Sequence, residues 1–271
     1  MKHYSFIYFL FMLALSVQAQ TINVHMKNGE VVKYNSPEVD YIDFTGTSNP
    51  NDSIVFPGCP DSHHPHIIDL GLPSGTKWAC CNVGATSPEK FGGYFAWGET
   101  SEKSYYGPST YLSAIQLNDN EEYDPLTTVI EWDPLTERSY RLPNFGTDIS
   151  GTQYDVATVR WGNSWQMPTW EQCWELIHGT SVELIEISGI YGIKFTGSNG
   201  ASIFLPDTGY KLYGDFYGID GPYWSSTLCE DTDHKYIPSS ANTIVSRSGL
   251  YIYGSYDRIY GCAVRPVHKI E

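Results

Sequence analysis

The sequence predicts an α+β domain with two short helices and a twisted antiparallel sheet drawn largely from its C-terminal half. Three observations carry this. Thr169 comes directly after Met167-Pro168 and is followed three residues on by Gln172, a capping box at a helix start. The runs 192–196 and 201–205 alternate in polarity on either side of Gly197-Ser-Asn-Gly200, the pattern of a hairpin. Further β-type runs at 222–227, 243–247, 249–253 and 260–267 follow with no helical period between them.

Composition narrows the class of protein. The chain has 271 residues, 41% hydrophobic and 17% charged, enough for one substantial core and an appendage. Its net charge of −15 argues against nucleic acid and anionic membranes as partners, because both would repel it. Tyrosine is abundant, with 21 copies against 16 Lys plus Arg.

The N-terminus reads as an export signal over residues 1–19. Lys2 precedes an apolar run at 6–15, and Ser16-Val-Gln-Ala19 supplies small or medium residues around a cut after Ala19. The run is short for a membrane span, and no later run is long enough, so no span is expected after signal removal. Residues 20–46 read as a small β element. Ile22, Val24 and Met26 alternate, Asn28-Gly29 is a hairpin turn, 31–34 returns, and 39–44 offers a third strand. Residues 47–66 form a linker with Cys59 and His63-His64-Pro65-His66. Imidazole and thiolate are metal ligands, but nothing at fixed spacing completes a tetrahedral set, so these are read as linker residues.

The main domain spans 67–268. It opens on strand, turn, strand through 67–72, Pro73-Ser-Gly-Thr76 and 77–83. The aromatic, glycine-rich run at 92–100 reads as buried loop and short strand. Residues 101–147 are polar with little period and read as a solvated insertion. Its acidic loop at 118–124 offers oxygens to calcium but lacks the EF-hand pattern and glycine. Thr152 is the expected N-cap of a first short helix, with Asp155 at its third position and Tyr154, Ala157 and Trp161 on one face. In the second helix Trp170, Cys173, Trp174 and Ile177 recur at i, i+3, i+4, i+7, with Gly179 as the stop. That spacing makes it a core helix and predicts that Trp174→Ala costs about 3–5 kcal/mol.

The cysteines are Cys59, Cys80, Cys81, Cys173, Cys229 and Cys262. One or two disulfides and a set of buried thiols are both open readings. Cys80-Cys81 is an awkward pair, since neighbours in a strand point to opposite faces. No CxxC, P-loop, dinucleotide fingerprint, Gly-x-Ser-x-Gly or His-Glu-x-x-His occurs, so no cofactor or metal is indicated.

Several phrases stand in a familiar order. They are Asp69-Leu-Gly-Leu-Pro-Ser-Gly-Thr-Lys-Trp-Ala79, Cys81-Asn-Val-Gly-Ala85, Tyr94-Phe-Ala-Trp-Gly-Glu-Thr100, Tyr154-Asp155 with Trp161-Gly162, Trp165-Gln-Met-Pro-Thr169, 197–206, Tyr223-Trp-Ser-Ser226, and Gly261 with Val264-Arg-Pro-Val267. Together they resemble the Fibrobacter succinogenes major paralogous domain family over residues 67 to about 268. That family is common in secreted and surface proteins of Bacteroidetes and related bacteria. It is similar to the formylglycine-generating enzyme and C-type lectin-like fold. The resemblance therefore implies a C-type lectin-like scaffold with long irregular loops, and little of it extends to 101–147.

Tyrosine placement suggests a binding surface. Tyr210, Tyr213, Asp215 and Tyr217, with Tyr251, Tyr253, Tyr256, Asp257, Arg258 and Tyr260, are interleaved with Ser and Gly. Tyr offers large amphipathic contact area at low entropic cost, and Ser and Gly adapt around it. The expectation is an exported, non-catalytic adhesin or lectin-like module that takes a glycan or protein through these loops. The same alternation also suits one face of a strand. Two alternatives stand beside it. One is an enzyme of formylglycine-generating type, which needs a reactive cysteine pair, or of glycoside-hydrolase type, which needs paired carboxylates. Cys80-Cys81 and Cys229 do not sit in the former's active-site phrase. The other is an accessory subunit of a surface fibre, with the N-terminal hairpin adding a strand to a neighbour.

Overall fold

The computed structural model describes residues 21–25, 31–35, 67–118, 121–122, 128–218, 221–229, 240–245 and 253–269. The chain divides into two units, Met1–Ser48 and Asn49–Glu271. In the first, β1 (Thr21–His25) and β2 (Val31–Asn35) pair antiparallel, with Thr21 opposite Asn35 and His25 opposite Val31. This is the hairpin expected around Asn28-Gly29. The turn itself, the candidate third strand, the signal and the linker lie outside the described residues.

The second unit is mainly antiparallel sheet with few helices. It begins with β3 (Ile67–Asp69) and β4 (Lys77–Ala79), closed by a turn in which Gly75 N–H donates to Leu72 O at 2.9 Å. The run at 92–100 is buried, as expected, and Phe95 bridges to Cys262.

The stretch 101–147 is not a bare solvated insertion. It forms β5 (Ile115–Gln116), β6 (Val129–Asp133) and β7 (Arg138–Leu142), a sheet in the order β5-β7-β6. Tyr106, Tyr111, Val129 and Leu142 make a core of their own with Tyr94, Leu212 and Ile259. Buried Asp133 organises the turn after β6. It accepts from Tyr105 OH, from Ser109 N–H and from Leu135 N–H, each at 2.8 Å. These partners hold its pKa low against the opposing effect of burial. In the acidic loop Glu121 pairs with Arg141 at 3.5 Å. Among the described residues no group of three or more His, Cys, Asp or Glu could hold a metal ion.

The first helix, α1 (Val156–Trp161), starts three residues later than expected. Its N-cap is Asp155, not Thr152. The buried Asp155 carboxylate accepts from Ala157 and Thr158 N–H, and also from Gly151 and Met167 N–H. It thus caps the helix and holds the residue after β8 (Trp165–Gln166), while the Thr152 hydroxyl donates to Ile149 O and accepts from Tyr154 N–H. The second helix, α2 (Trp170–Gly179), has the predicted capping box. Thr169 Oγ1 accepts from Gln172 N–H, and Thr169 N–H donates to Gln172 Oε1.

The buried row of α2 is Cys173 and Leu176, flanked by half-buried Trp170 and Ile177. Trp174 is 45% exposed, so it is not the core residue the spacing suggested. Leu176 occupies the centre of the packed arc and turns Trp174 to the flank, where it stacks on His178 at 3.9 Å. Gly179 is the last helical residue rather than a left-handed cap. Thr180 ends the helix, its hydroxyl donating to Leu176 O at 2.7 Å.

Three antiparallel strands follow, β9 (Ser181–Ile187), β10 (Ile190–Thr196) and β11 (Ser202–Pro206), in the order β11-β10-β9. The hairpin expected at 192–205 is the β10–β11 pair, with Thr196 opposite Ser202. A small ribbon, β12 (Tyr210–Leu212) with β13 (Asp215–Tyr217), comes next. Then β14 (Pro222–Leu228), β15 (Ser240–Val245) and β16 (Tyr253–Asp257) form an antiparallel sheet in that order. The last strand, β17 (Val267–His268), inserts between β4 and β8 and completes a sheet in the order β3-β4-β17-β8, so the end of the unit is bonded to its beginning.

Beside β17 lies Arg265, 1% exposed. Nε donates to Asn82 Oδ1 at 2.8 Å, Nη1 to Cys80 O at 3.1 Å and Ala79 O at 3.3 Å, and Nη2 to Phe204 O at 2.9 Å. One guanidinium thus joins three segments and satisfies acceptors that would otherwise be orphaned in the core.

Candidate functional site

The ribbon β12–β13 is built by a two-residue turn at Tyr213-Gly214, whose φ angles are 51° and 89°. Both are left-handed, the conformation of the tight hairpin turn that glycine and few other residues favour. Tyr213 tolerates it because its N–H donates to Tyr106 O at 2.8 Å and its ring lies 6.2 Å from Tyr105. The short register puts Tyr210 opposite Tyr217.

A second contact brings in the C-terminal strand. Lys211 and Gly261 exchange N–H···O bonds, both 2.9 Å. Gly261 is required at that approach, because a Cβ there would lie 2.6 Å from the Tyr106 ring. The bridge sets β12 beside the turn after β16, where Tyr260 N–H donates to Asp257 O at 2.9 Å.

The outcome is one aromatic cluster. Tyr210 stacks on Tyr217 with centroids 4.9 Å apart, and meets Tyr256 at 5.5 Å and Tyr260 at 5.4 Å. Tyr256 and Tyr260 meet edge to face at 5.5 Å. Tyr217 is 37% exposed, while Tyr210, Tyr256 and Tyr260 are half-buried. Packing in this cluster pushes the Tyr260 hydroxyl up to about 12, burial being the main cause and Asp257 the next.

The structure sorts the residues singled out by sequence. It gathers Tyr210, Tyr217 and Tyr256. Tyr213 stands apart, on Tyr105, within reach of the charges of Glu131, Asp133 and Asp257. Asp215 is exposed at the start of β13, and Asp257 is half-buried. Arg258 lies in the core instead of on the loop surface. It is fully buried, 6.0 Å from the Trp97 ring, and donates from Nη1 to Pro143 O at 2.9 Å. Among the described residues its Nε and Nη2 have no hydrogen-bond partner, and burial lowers its pKa. Tyr251 and the side chain of Tyr253 lie outside the described residues.

Glu131, on β6, belongs to the same neighbourhood and was missed by sequence. Burial pushes its carboxyl up to about 7, Asp257 adds to that, and Arg258 opposes it. The available signal was the alternation Ile130-Glu131-Trp132-Asp133 followed by Pro134 and a returning β run, hidden in a stretch read as polar and irregular.

A cavity of about 340 Å³ lies elsewhere, lined by Ile68, Cys80, Ile185, Ile187, Lys194 and Phe204 among others. The tyrosine cluster does not line it. Comparison with protein-family models, with curated proteins and with solved structures finds no match.

Proposed function

We propose that this chain is a non-catalytic binding module of C-type lectin-like fold, exported by its N-terminal signal, that engages a glycan or protein through the Tyr210–Tyr217–Tyr256–Tyr260 cluster. The observation that carries this reading is the convergence of two separate segments into one part-exposed aromatic platform, with the Asp257 charge acting on Tyr260. Aromatic faces stack on the apolar face of a sugar ring, and Asp257 and Glu131 offer acceptors to its hydroxyl groups. Protein recognition uses the same chemistry, since Tyr anchors are both rigid and amphipathic. The family resemblance over 67–268 points the same way. Among the described residues no helix is long and apolar enough to cross a membrane. Screening the full chain against a glycan array and a panel of surface proteins tests the proposal. Saturable binding that competes with soluble ligand is expected; no binding in either panel contradicts it.

A second reading has one specific observation behind it. Burial raises the Glu131 carboxyl to about 7 and the charge of Asp257 adds to it, and a raised carboxyl near a second acid is one requirement of glycoside hydrolases. Release of phenol from aryl glycosides, lost in Glu131→Gln, would establish it in place of the binder.

A further inference from the structure

Adjacent cysteines in a regular strand point to opposite faces, yet Cys80 and Cys81 do not. The strand β4 ends at Ala79, and the chain bends at the next two residues. The bend turns both side chains inward until the two Sγ atoms are 3.7 Å apart, in van der Waals contact. Both are thiols in this structure.

Two further features separate this pair from the other buried cysteines. Cys80 is 5% exposed and lines the pocket of about 340 Å³ together with residues of β9, β10 and β11. The Arg265 guanidinium lies directly beside the pair. It donates to the Cys80 carbonyl at 3.1 Å, and both thiols act on its charge. Cys173 and Cys262 are fully buried, each apart from the pair, and burial pushes their thiols well up.

We propose that Cys80 and Cys81 form a two-electron dithiol–disulfide couple, reached by small disulfide oxidants through this cavity. The Cys80 thiolate attacks one sulfur of the oxidant and forms a mixed disulfide, and the oxidant's other half leaves as a thiolate. Cys81 then gives its proton to the departed thiolate of the oxidant and attacks Cys80 Sγ. The Cys80–Cys81 bond forms, the mixed disulfide breaks, and the second half of the oxidant leaves as a thiolate. One oxidant disulfide is reduced to two thiols, and the protein gives up two electrons and two protons. The couple is independent of the tyrosine cluster and of whatever the cluster binds.

The test uses the reduced full chain incubated with glutathione disulfide, then denatured in acid, alkylated and mapped by mass spectrometry. The proposal expects the peptide holding Cys80 and Cys81 to emerge two hydrogens lighter, unalkylated at both positions and free of glutathione. Cys173 and Cys262 should remain alkylated. Cys81→Ser should instead trap one glutathione on Cys80. Three results would overturn the proposal: both thiols alkylated after oxidation of the wild-type chain, glutathione retained on the wild-type pair, or either cysteine joined to Cys59 or Cys229. The wild-type result decides the matter even if the serine variant does not fold.

Discussion

Tyr210 and Tyr217 face each other across β12–β13 with ring planes only 11° from parallel and centroids 4.9 Å apart. Cross-strand aromatic pairs of this kind contribute about 0.5–1.5 kcal/mol beyond the area they bury. The pair also leaves Tyr217 partly open to solvent, so one element both stabilises the ribbon and presents a face for contact.

Gly261 is the hinge of the cluster. Gly261→Ala places a methyl 2.6 Å from the Tyr106 ring and should push β12 away from the turn after β16. A loss of about 1–3 kcal/mol is expected, typical of overpacking, and ligand binding should weaken though no tyrosine has changed. Urea denaturation checks the first outcome and a binding titration the second.

Arg265 should be far less replaceable than Arg258. Arg265→Met leaves the Asn82 side chain and three carbonyls without their donor. Each orphaned buried acceptor costs about 1–3 kcal/mol, so the total should exceed about 3 kcal/mol. Arg258→Met releases a single bond to Pro143 and relieves a buried charge with two unpartnered nitrogens. Its cost should be smaller, as paired chemical-denaturation curves would show.

Glu131 makes stability depend on pH in an uncommon direction for a carboxyl. Its folded pKa is raised from 4.5 to about 7, so the native state favours the protonated form. Its contribution is complete below the unfolded value and is lost as pH rises from about 4.5 to about 7. The full shift corresponds to at most about 3.4 kcal/mol, less whatever water screens at this partly buried site. Thermal melts between pH 4.5 and 8 should fall more steeply for the native chain than for Glu131→Gln. Equal slopes would remove Glu131 from the account.

The second helix shows where sequence reading succeeds and where it stops. Its start was legible because the capping box of Thr169 and Gln172 is local chemistry, complete within four residues. The 192–205 hairpin was legible for the same reason, since its alternation and its turn are contiguous. Trp174 was misplaced because two overlapping apolar rows fit the same helical period, and only contact with distant β14 and β15 chooses the row through Leu176. The sheet at 115–142 was hidden because its core partners, Leu212 and Ile259, lie far along the chain. At the candidate site the tyrosines were visible as a composition signal. Glu131 and the burial of Arg258 depend on packing between segments more than a hundred residues apart.

Trp174→Ala is the direct measure of that correction. The exposed ring should be lost at a cost of less than about 1 kcal/mol, whereas Leu176→Ala, fully buried, should cost about 2–5 kcal/mol. Urea midpoints of the two variants check the ordering.

The central claim is that the tyrosine cluster is the contact surface. The decisive measurement is calorimetric titration of the ligand found by screening into the native chain and into a Tyr217→Ala, Tyr256→Ala double variant whose fold is verified by circular dichroism. The account predicts at least a tenfold loss of affinity, about 1.4 kcal/mol, in the double variant. Unchanged affinity in a folded double variant would contradict it.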